Sequence, residues 1–293
     1  MSVDKIDELL GITPVHRLST AFNQFRYIAY AVKELQTRKE QISALARALG
    51  ELLATLNRKF ELCTPMEASY VKALKDFEGL LRNVTSFIQA ELERTLLESL
   101  FYDESHDVSE SIERFYREIG TTENAFQIPP RQHLLGAHKL ARSRDAEAMH
   151  ARFLTLQRSQ SELRNALGIN NDNVKAMRLA IERRVAGRRN ETRPEQRFYS
   201  HALHYLRSVS RQDFEFHAED WMISPFDVER GAPIGSGGFG TVHTGTWNRT
   251  EIALKYIRNS AGVVVDTNLL EKEIQESLSS AIYIYITSPK IYF

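Results

Sequence analysis

Apolar residues recur at spacings of three and four over the first two thirds of this chain, and that period confines most of it to amphipathic helices. Ile42, Leu45, Leu49, Leu52, Leu53, Leu56 and Phe60 form one set, and Tyr70, Leu74, Phe77, Leu81, Val84, Ile88 and Leu92 form another. With 3.6 residues per turn, each set falls on one helix face. An earlier helix runs through Leu18, Phe22, Phe25, Ile28, Ala29, Val32 and Leu35, and a later one through Ile112, Phe115, Tyr116 and Ile119. Thr64-Pro65-Met66-Glu67 reads as a capping box, with a Thr cap, Pro at the first helical position and Glu three residues on. It predicts a stop and restart that folds the flanking helices back antiparallel. Asp107-Val108-Ser109-Glu110 has the same start-signal spacing, with Asp as the cap. Four such segments with short connections predict an antiparallel bundle over residues 1–125.

The gap Thr121-Thr122-Glu123-Asn124 and the Pro129-Pro130 pair set that bundle apart from further helices, over about 133–169 and 173–185. Gly187 to Pro194 reads as a charged, solvated linker, and Arg183-Arg184 with Arg188-Arg189 as a small basic cluster belonging to it. A short helix over about 195–209 follows. Residues 126–225 are therefore expected to be brace helices and linker. Past Pro225 the helical period gives way to glycine, threonine, valine and alternating apolar residues. Short antiparallel strands with tight turns are expected from Gly235 to Ile257.

Bulk properties narrow the function classes. Lys+Arg and Asp+Glu are both 38, so the formal net charge is zero, and no electrostatic case for nucleic-acid binding arises. The single cysteine, Cys63, can make neither an internal disulfide nor a zinc site, and is expected to be a buried structural thiol in a reducing compartment. The first residues have no basic stretch followed by an apolar run, so no secretory signal is expected. No stretch approaches the ~18 apolar residues of a spanning helix. The expectation is a cytoplasmic protein, with peripheral membrane contact left open. His201 and His204 are spaced i,i+3, but no carboxylate or further histidine accompanies them, so no metal ligands are assigned. Phe22, Phe25, Tyr27 and Tyr30 are expected to pack within the helices.

The segment richest in chemical information is Ile234-Gly235-Ser236-Gly237-Gly238-Phe239-Gly240-Thr241-Val242, which fits G-x-G-x-x-G-x-V. Dinucleotide-binding folds use the same glycines, but there the third glycine opens a helix. Here Thr241 to Trp247 is β-branched and glycine-interrupted, which makes a strand. Asn248-Arg249-Thr250 supplies a turn, and Glu251-Ile252-Ala253-Leu254-Lys255-Tyr256-Ile257 a second strand containing Ala-x-Lys. This order of parts resembles the protein kinases, most closely the tyrosine-kinase-like group of serine/threonine kinases. The likeness covers about Phe226 to Gln275.

That resemblance implies an ATP-binding N-lobe, with Mg-ATP as the ligand of a complete kinase and a protein hydroxyl as acceptor. Glycines let the backbone approach phosphates without a Cβ in the way. Phe239 at the loop tip would shield them from water. Val242 and Ala253 would cover the adenine, and Lys255 would bring its charge to the phosphates. Lys255 needs a carboxylate on the next helix, for which Asp266 to Gln275 provides Glu273, preferred, or Glu271. No catalytic residue is assigned. His16-Arg17-Leu18, Asp76-Phe77-Glu78 and Asp213-Phe214-Glu215 all precede the glycine segment, and none makes a catalytic or metal-binding loop there. The expectation is an N-lobe truncated after the helix, in residues 226–293, with a divergent Ile/Tyr tail from Ser279 that could form one more strand and is aggregation-prone. These residues alone are then predicted to be inactive in phosphoryl transfer. The helical region is similar, in layout, to the four-helix bundle with brace helices of mixed-lineage-kinase-domain-like proteins and fungal kinases. It implies a regulatory adaptor acting by self-association or membrane engagement. The fold class expected is mainly α, an N-terminal antiparallel bundle with brace helices followed by a small α+β partial kinase N-lobe.

Overall fold

The structure, a computed structural model, describes residues 3–62, 68–94, 96, 99, 107–131, 134–170, 173–186, 192–209, 223–224, 226, 228–237, 240–247, 250–257, 283–287 and 291–292. It is mainly helical with one small sheet, and divides into two compact units, Met1–Ala151 and Arg152–Phe293. Cys63, the Thr64–Glu67 capping box, the 187–191 part of the linker, the Asn248-Arg249 turn and Ser279–Ile282 lie outside the described residues, as do Gly238, Phe239, Glu271 and Glu273.

The first unit is built from α1 (Val3–Leu10), a 3-10 turn His16–Leu18, α2 (Ser19–Glu34), α3 (Lys39–Leu62), α4 (Ala68–Glu93), α5 (Asp107–Ala125) and most of α6 (Leu134–Leu156). α2 lies against both α3 and α4, and α5 closes the square against the same two helices. Polar and aromatic contacts give the directions. Arg38, just before α3, meets Glu91 near the end of α4, while Phe60 near the end of α3 meets Tyr70 near the start of α4 at 6.4 Å. These two helices therefore run antiparallel. Phe87 of α4 meets Phe115 of α5, and Phe126 beyond α5 meets Tyr70, so α4 and α5 are also antiparallel. One continuous apolar core runs from Ile6 to Phe126. α1, which carries no long periodic run, packs on α3, where an added Cβ at Gly50 would lie 2.5 Å from Phe25 Cζ and 2.7 Å from Leu9 Cδ1. Gly50 is thus what lets α1, α2 and α3 approach.

Two expectations for this unit need correction. Thr121 to Asn124 is not a break, because α5 continues through it. The Thr121 and Thr122 hydroxyls donate to the carbonyls of Arg117 and Glu118 one turn back, so neither competes with the helix. Phe22 and Phe25 are core, but Tyr27 and Tyr30 stand on the outer face of α2, 43% and 61% exposed.

Several buried polar groups bind the helices together. Asn57 of α3 accepts from Val15 N–H at 2.8 Å and donates to Thr13 carbonyl at 3.1 Å, which ties down the segment before α2. Asp145 of α6 accepts from the Glu40 and Gln41 amides at 2.9 and 3.0 Å. A side chain distant in sequence thereby caps the first turn of α3. Burial pushes the Asp145 carboxyl up from its ordinary value, against the lowering by those amides. Arg131 reaches Glu51 and the Ala48 carbonyl, each at 3.0 Å, and also pairs with buried Glu123. Neither ring nitrogen of His138 nor the hydroxyl of Tyr116 has a hydrogen-bond partner among the described residues; the two rings lie 5.3 Å apart. Burial lowers the His138 pKa, so the neutral ring is the favoured form.

The second unit contains α7 (Gln160–Leu167), α8 (Val174–Ala186), α9 (Arg193–Val209) and the sheet. Ser159 caps α7 through the Glu162 amide, and Gly168 ends it at φ +63°, the left-handed conformation favouring glycine. The end of the expected linker is already helix. Thr192-Arg193-Pro194-Glu195 opens α9, with the Thr192 amide and hydroxyl donating to Glu195 at 2.7 and 2.8 Å. Arg184 is not a solvated linker residue. It is buried, with its guanidinium 4.7 Å over the Tyr199 ring. Phe153 and Phe198 stack at 4.4 Å in the same region.

The sheet has the order β1-β2-β3-β4-β5, with β1 Val228–Gly237, β2 Gly240–Trp247, β3 Thr250–Ile257, β4 Tyr283–Thr287 and β5 Ile291–Tyr292. β1, β2 and β3 pair antiparallel, as expected. Part of the Ile/Tyr tail does form a strand, and it pairs parallel to β3, with Ala253 opposite Tyr283 and Lys255 opposite Tyr285. Ser224 hydroxyl donates to the Ala176 carbonyl at 2.9 Å, which anchors the approach to β1 on α8.

Candidate functional site: the glycine hairpin and its lysine

Strand alternation sorts the β1–β3 residues onto two faces. Val242 pairs with Lys255, Thr244 with Ala253, and Gly235 with Val242. Gly235, Val242, Ala253 and Lys255 therefore share one face. His243 pairs with Leu254, Thr241 with Tyr256, and Gly245 with Ile252, so the opposite face holds His243, Ile252, Leu254 and Tyr256. That second face is the apolar one: Ile252 and Leu254 are buried, with Ile223, Val228, Trp247 and Tyr256 packed around them. The glycine face carries the half-buried Val242, Ala253 and Lys255 and the exposed Gly235 and Gly237.

The assigned residues that fall among the described ones can be located on this frame. Gly237 pairs with Gly240 across the hairpin, and the intervening Gly238 and Phe239 are outside the described residues. Ile234 is 61% exposed and sits where the pairing slips. Ser236 pairs with Thr241 and so falls on the other face from the glycines. Lys255 is brought together with Val242 directly and with Ala253 two residues along the strand. Glu273 cannot be placed against it.

The glycines differ in what they permit. Among the described residues, an added Cβ at Gly235 or Gly237 meets nothing within 4 Å, and neither has a positive φ. No described residue requires glycine at these two positions or fills the space beside them. Gly231 is the reverse case. A Cβ there would lie 2.3 Å from Thr244 Oγ1 and 3.0 Å from its carbonyl oxygen, so the close approach of β1 to β2 demands glycine.

Sequence reading missed the polar cluster behind this hairpin. Arg230 lies with its guanidinium 4.6 Å over the Tyr256 ring, and His243 meets the same ring edge-on at 5.1 Å. Burial raises the Tyr256 pKa, opposed by the charge of Arg230. The signal was present: His243 and Tyr256 share the parity of Ile252 and Leu254, which puts a histidine at a core-facing position. No group of three histidine, cysteine or acidic side chains is arranged to hold a metal ion among the described residues.

The fold and site thus define a mainly helical protein carrying a glycine-rich hairpin with a lysine on its open face. In comparison with known proteins, 49 residues of the chain are 41% identical to a protein of Acanthamoeba polyphaga mimivirus described as "Putative serine/threonine-protein kinase/receptor R826". The match covers 17% of this chain and 3% of that protein. It hints at a relation to kinases over that length alone. No known family profile matches the chain, and neither does any solved structure.

Proposed function

We propose that residues 226–293 are the ATP-binding N-lobe part of a serine/threonine kinase of the tyrosine-kinase-like group, fused to a helical regulatory bundle and acting in the cytoplasm. The observation that carries this reading is the register: Gly235, Val242, Ala253 and Lys255 stand on one face, with the sheet's apolar residues on the other. A face whose glycines meet no described residue suits a polyphosphate. Lys255 supplies a positive charge beside it, and Val242 with Ala253 supplies small apolar surface for a purine. Ile234, Ser236, Gly238, Phe239 and Gly240 complete the hairpin. In this reading Glu273 is the carboxylate that holds Lys255, and magnesium arrives with the nucleotide.

Calorimetric titration of residues 1–293 with Mg-ATP tests the proposal. The expected affinity is weak, with Kd on the order of 0.1–1 mM, and Lys255→Ala should weaken it about tenfold. Equal binding by both proteins, or none by the unsubstituted one, would overturn the reading. Residues 256–293 contain no His-Arg-Asp or Asp-Phe-Gly, so no phosphoryl transfer to a generic acceptor is expected from these residues. Transfer that disappears in Lys255→Ala would contradict that.

A second reading treats the helical unit as the working part, an adaptor that self-associates or touches a membrane surface. It is favoured by a core that closes without any residue of the sheet. No described helix is long and apolar enough to cross a membrane, so contact would be peripheral. Co-sedimentation of the full chain with vesicles containing anionic lipid is the expected result. A chain left in the supernatant, with or without anionic lipid, would remove the membrane form of this reading.

A further inference from the structure

Behind the glycine hairpin, β1 slips out of regular pairing twice, between Arg230 and Pro233 and between Pro233 and Gly235. Such bulges take residues out of the ladder and leave backbone groups to be satisfied in other ways. Here two side chains of β2 do so. Thr244 Oγ1 donates to the Ala232 carbonyl at 3.3 Å, and His243 Nδ1 lies 3.3 Å from the Gly231 carbonyl. His243 Nε2 lies 3.0 Å from Arg230 Nη2, and Arg230 Nε lies 3.3 Å from Nδ1. A neutral imidazole donates from one nitrogen only. The Nδ1–H tautomer satisfies Gly231 and accepts the shorter Arg230 contact at Nε2, while giving up the longer bond that Nδ1 would accept from Arg230 Nε. The opposite tautomer would point Nε2–H at the guanidinium and orphan the carbonyl. The ring is 5% exposed, and its strand position pairs with Pro233, two residues before Gly235.

We infer that His243, oriented by Arg230, is a positioning residue for nucleotide binding: it holds the bulge of β1 and thereby sets where Gly235 and Gly237 stand on the opposite face. This rests on the nucleotide reading of that face. His243 itself is on the face away from Lys255 and touches no ligand. Thr244 and the obligatory Gly231 complete the same latch, since the bulge brings these strands closer than any side chain at 231 would allow.

Three variants of the full chain test it, His243→Leu, His243→Asn and Leu254→Ala. Leucine fills the site without a donor. Asparagine keeps a donor near the Nδ1 position. Leu254→Ala loosens the same apolar face directly opposite His243 while leaving the imidazole and its hydrogen bonds in place. Two quantities are read, backbone hydrogen exchange of peptides covering 228–242 without nucleotide, and Mg-ATP affinity. In His243→Leu, exchange over 231–237 should quicken about tenfold and affinity fall about fivefold, with His243→Asn restoring both to within about twofold. Leu254→Ala should quicken exchange across β3 without singling out 231–237. The inference is overturned if His243→Leu exchanges over 231–237 as the unsubstituted chain does, or if His243→Asn behaves like His243→Leu. Absence of Mg-ATP binding by the unsubstituted chain strikes the nucleotide reading itself, and the exchange measurement separates that failure from the loss of the latch.

Discussion

Glu91→Ala should destabilise the helical unit by about 3–5 kcal/mol, the usual cost of leaving a buried charge without its counter-ion. The Glu91 side chain is fully buried near the end of α4, and it holds Arg38, 8% exposed, at 2.7 Å and Arg94 as well. Arg38 sits at φ +53° in the link between α2 and α3, and also donates to the Ser99 carbonyl at 2.7 Å. Removing the carboxylate takes from that enclosed guanidinium its counter-charge at 2.7 Å. The effect thus comes from the stranded arginine more than from the lost attraction. Denaturant unfolding followed by far-UV circular dichroism checks the size, and a change under about 1 kcal/mol would place the pair among the solvated ones. Replacing both partners together, Arg38→Met with Glu91→Leu, should recover most of the loss, because the two enclosed charges are then removed together and Arg94, 21% exposed, can reach solvent.

The second large effect separates two glycines that look alike in the sequence. Gly235→Val should leave the sheet as stable as before, since its Cβ meets no described residue and its backbone is not left-handed. It should nonetheless weaken Mg-ATP binding about tenfold or more, because the branched side chain would occupy the space the phosphates need. Gly231→Val should do the opposite in order of cause. Its Cβ is driven onto Thr244, so the β1–β2 pairing loosens by about 1–3 kcal/mol and any nucleotide effect follows from that. Hydrogen exchange over 228–257 measures the first quantity and calorimetry the second. Loss of sheet protection in Gly235→Val, or none in Gly231→Val, would contradict the assignment of these roles.

These two cases also mark how far the sequence could be read. The helices from Leu18 to Leu92 and the antiparallel strands were legible because a 3.6-residue or two-residue period is written directly in the apolar residues. α1 and the continuation of α5 through Thr121 were not, since one is short and the other runs through residues that often break helices until their hydroxyls find carbonyls one turn back. The Gly235–Val242–Lys255 grouping was foreseen as a motif, and the shared face follows from strand parity, because the two one-residue slips in β1 cancel in parity and only move Gly235 from opposite Gly240 to opposite Val242. Pro233, which has no N–H to give the ladder, sits between those slips and is the residue type that marks them. The core-facing parity of His243 was legible in the strand alternation, whereas its contacts with Arg230 and Gly231 exist only once the bulge has brought β1 against β2. Asp145 is a further case, because a cap supplied from α6 to α3 leaves no local spacing to recognise.

The central claim is that one face of the sheet, and not the other, receives a nucleotide. Methyl spectra of the full chain during titration with Mg-ATP read the two faces separately. The γ-methyls of Val242 and the β-methyl of Ala253 should shift progressively with nucleotide, while the methyls of Ile252 and Leu254, one residue away in the same strand but on the apolar face, should stay in place. Equal shifts on both faces, or movement of Ile252 and Leu254 alone, would contradict the account.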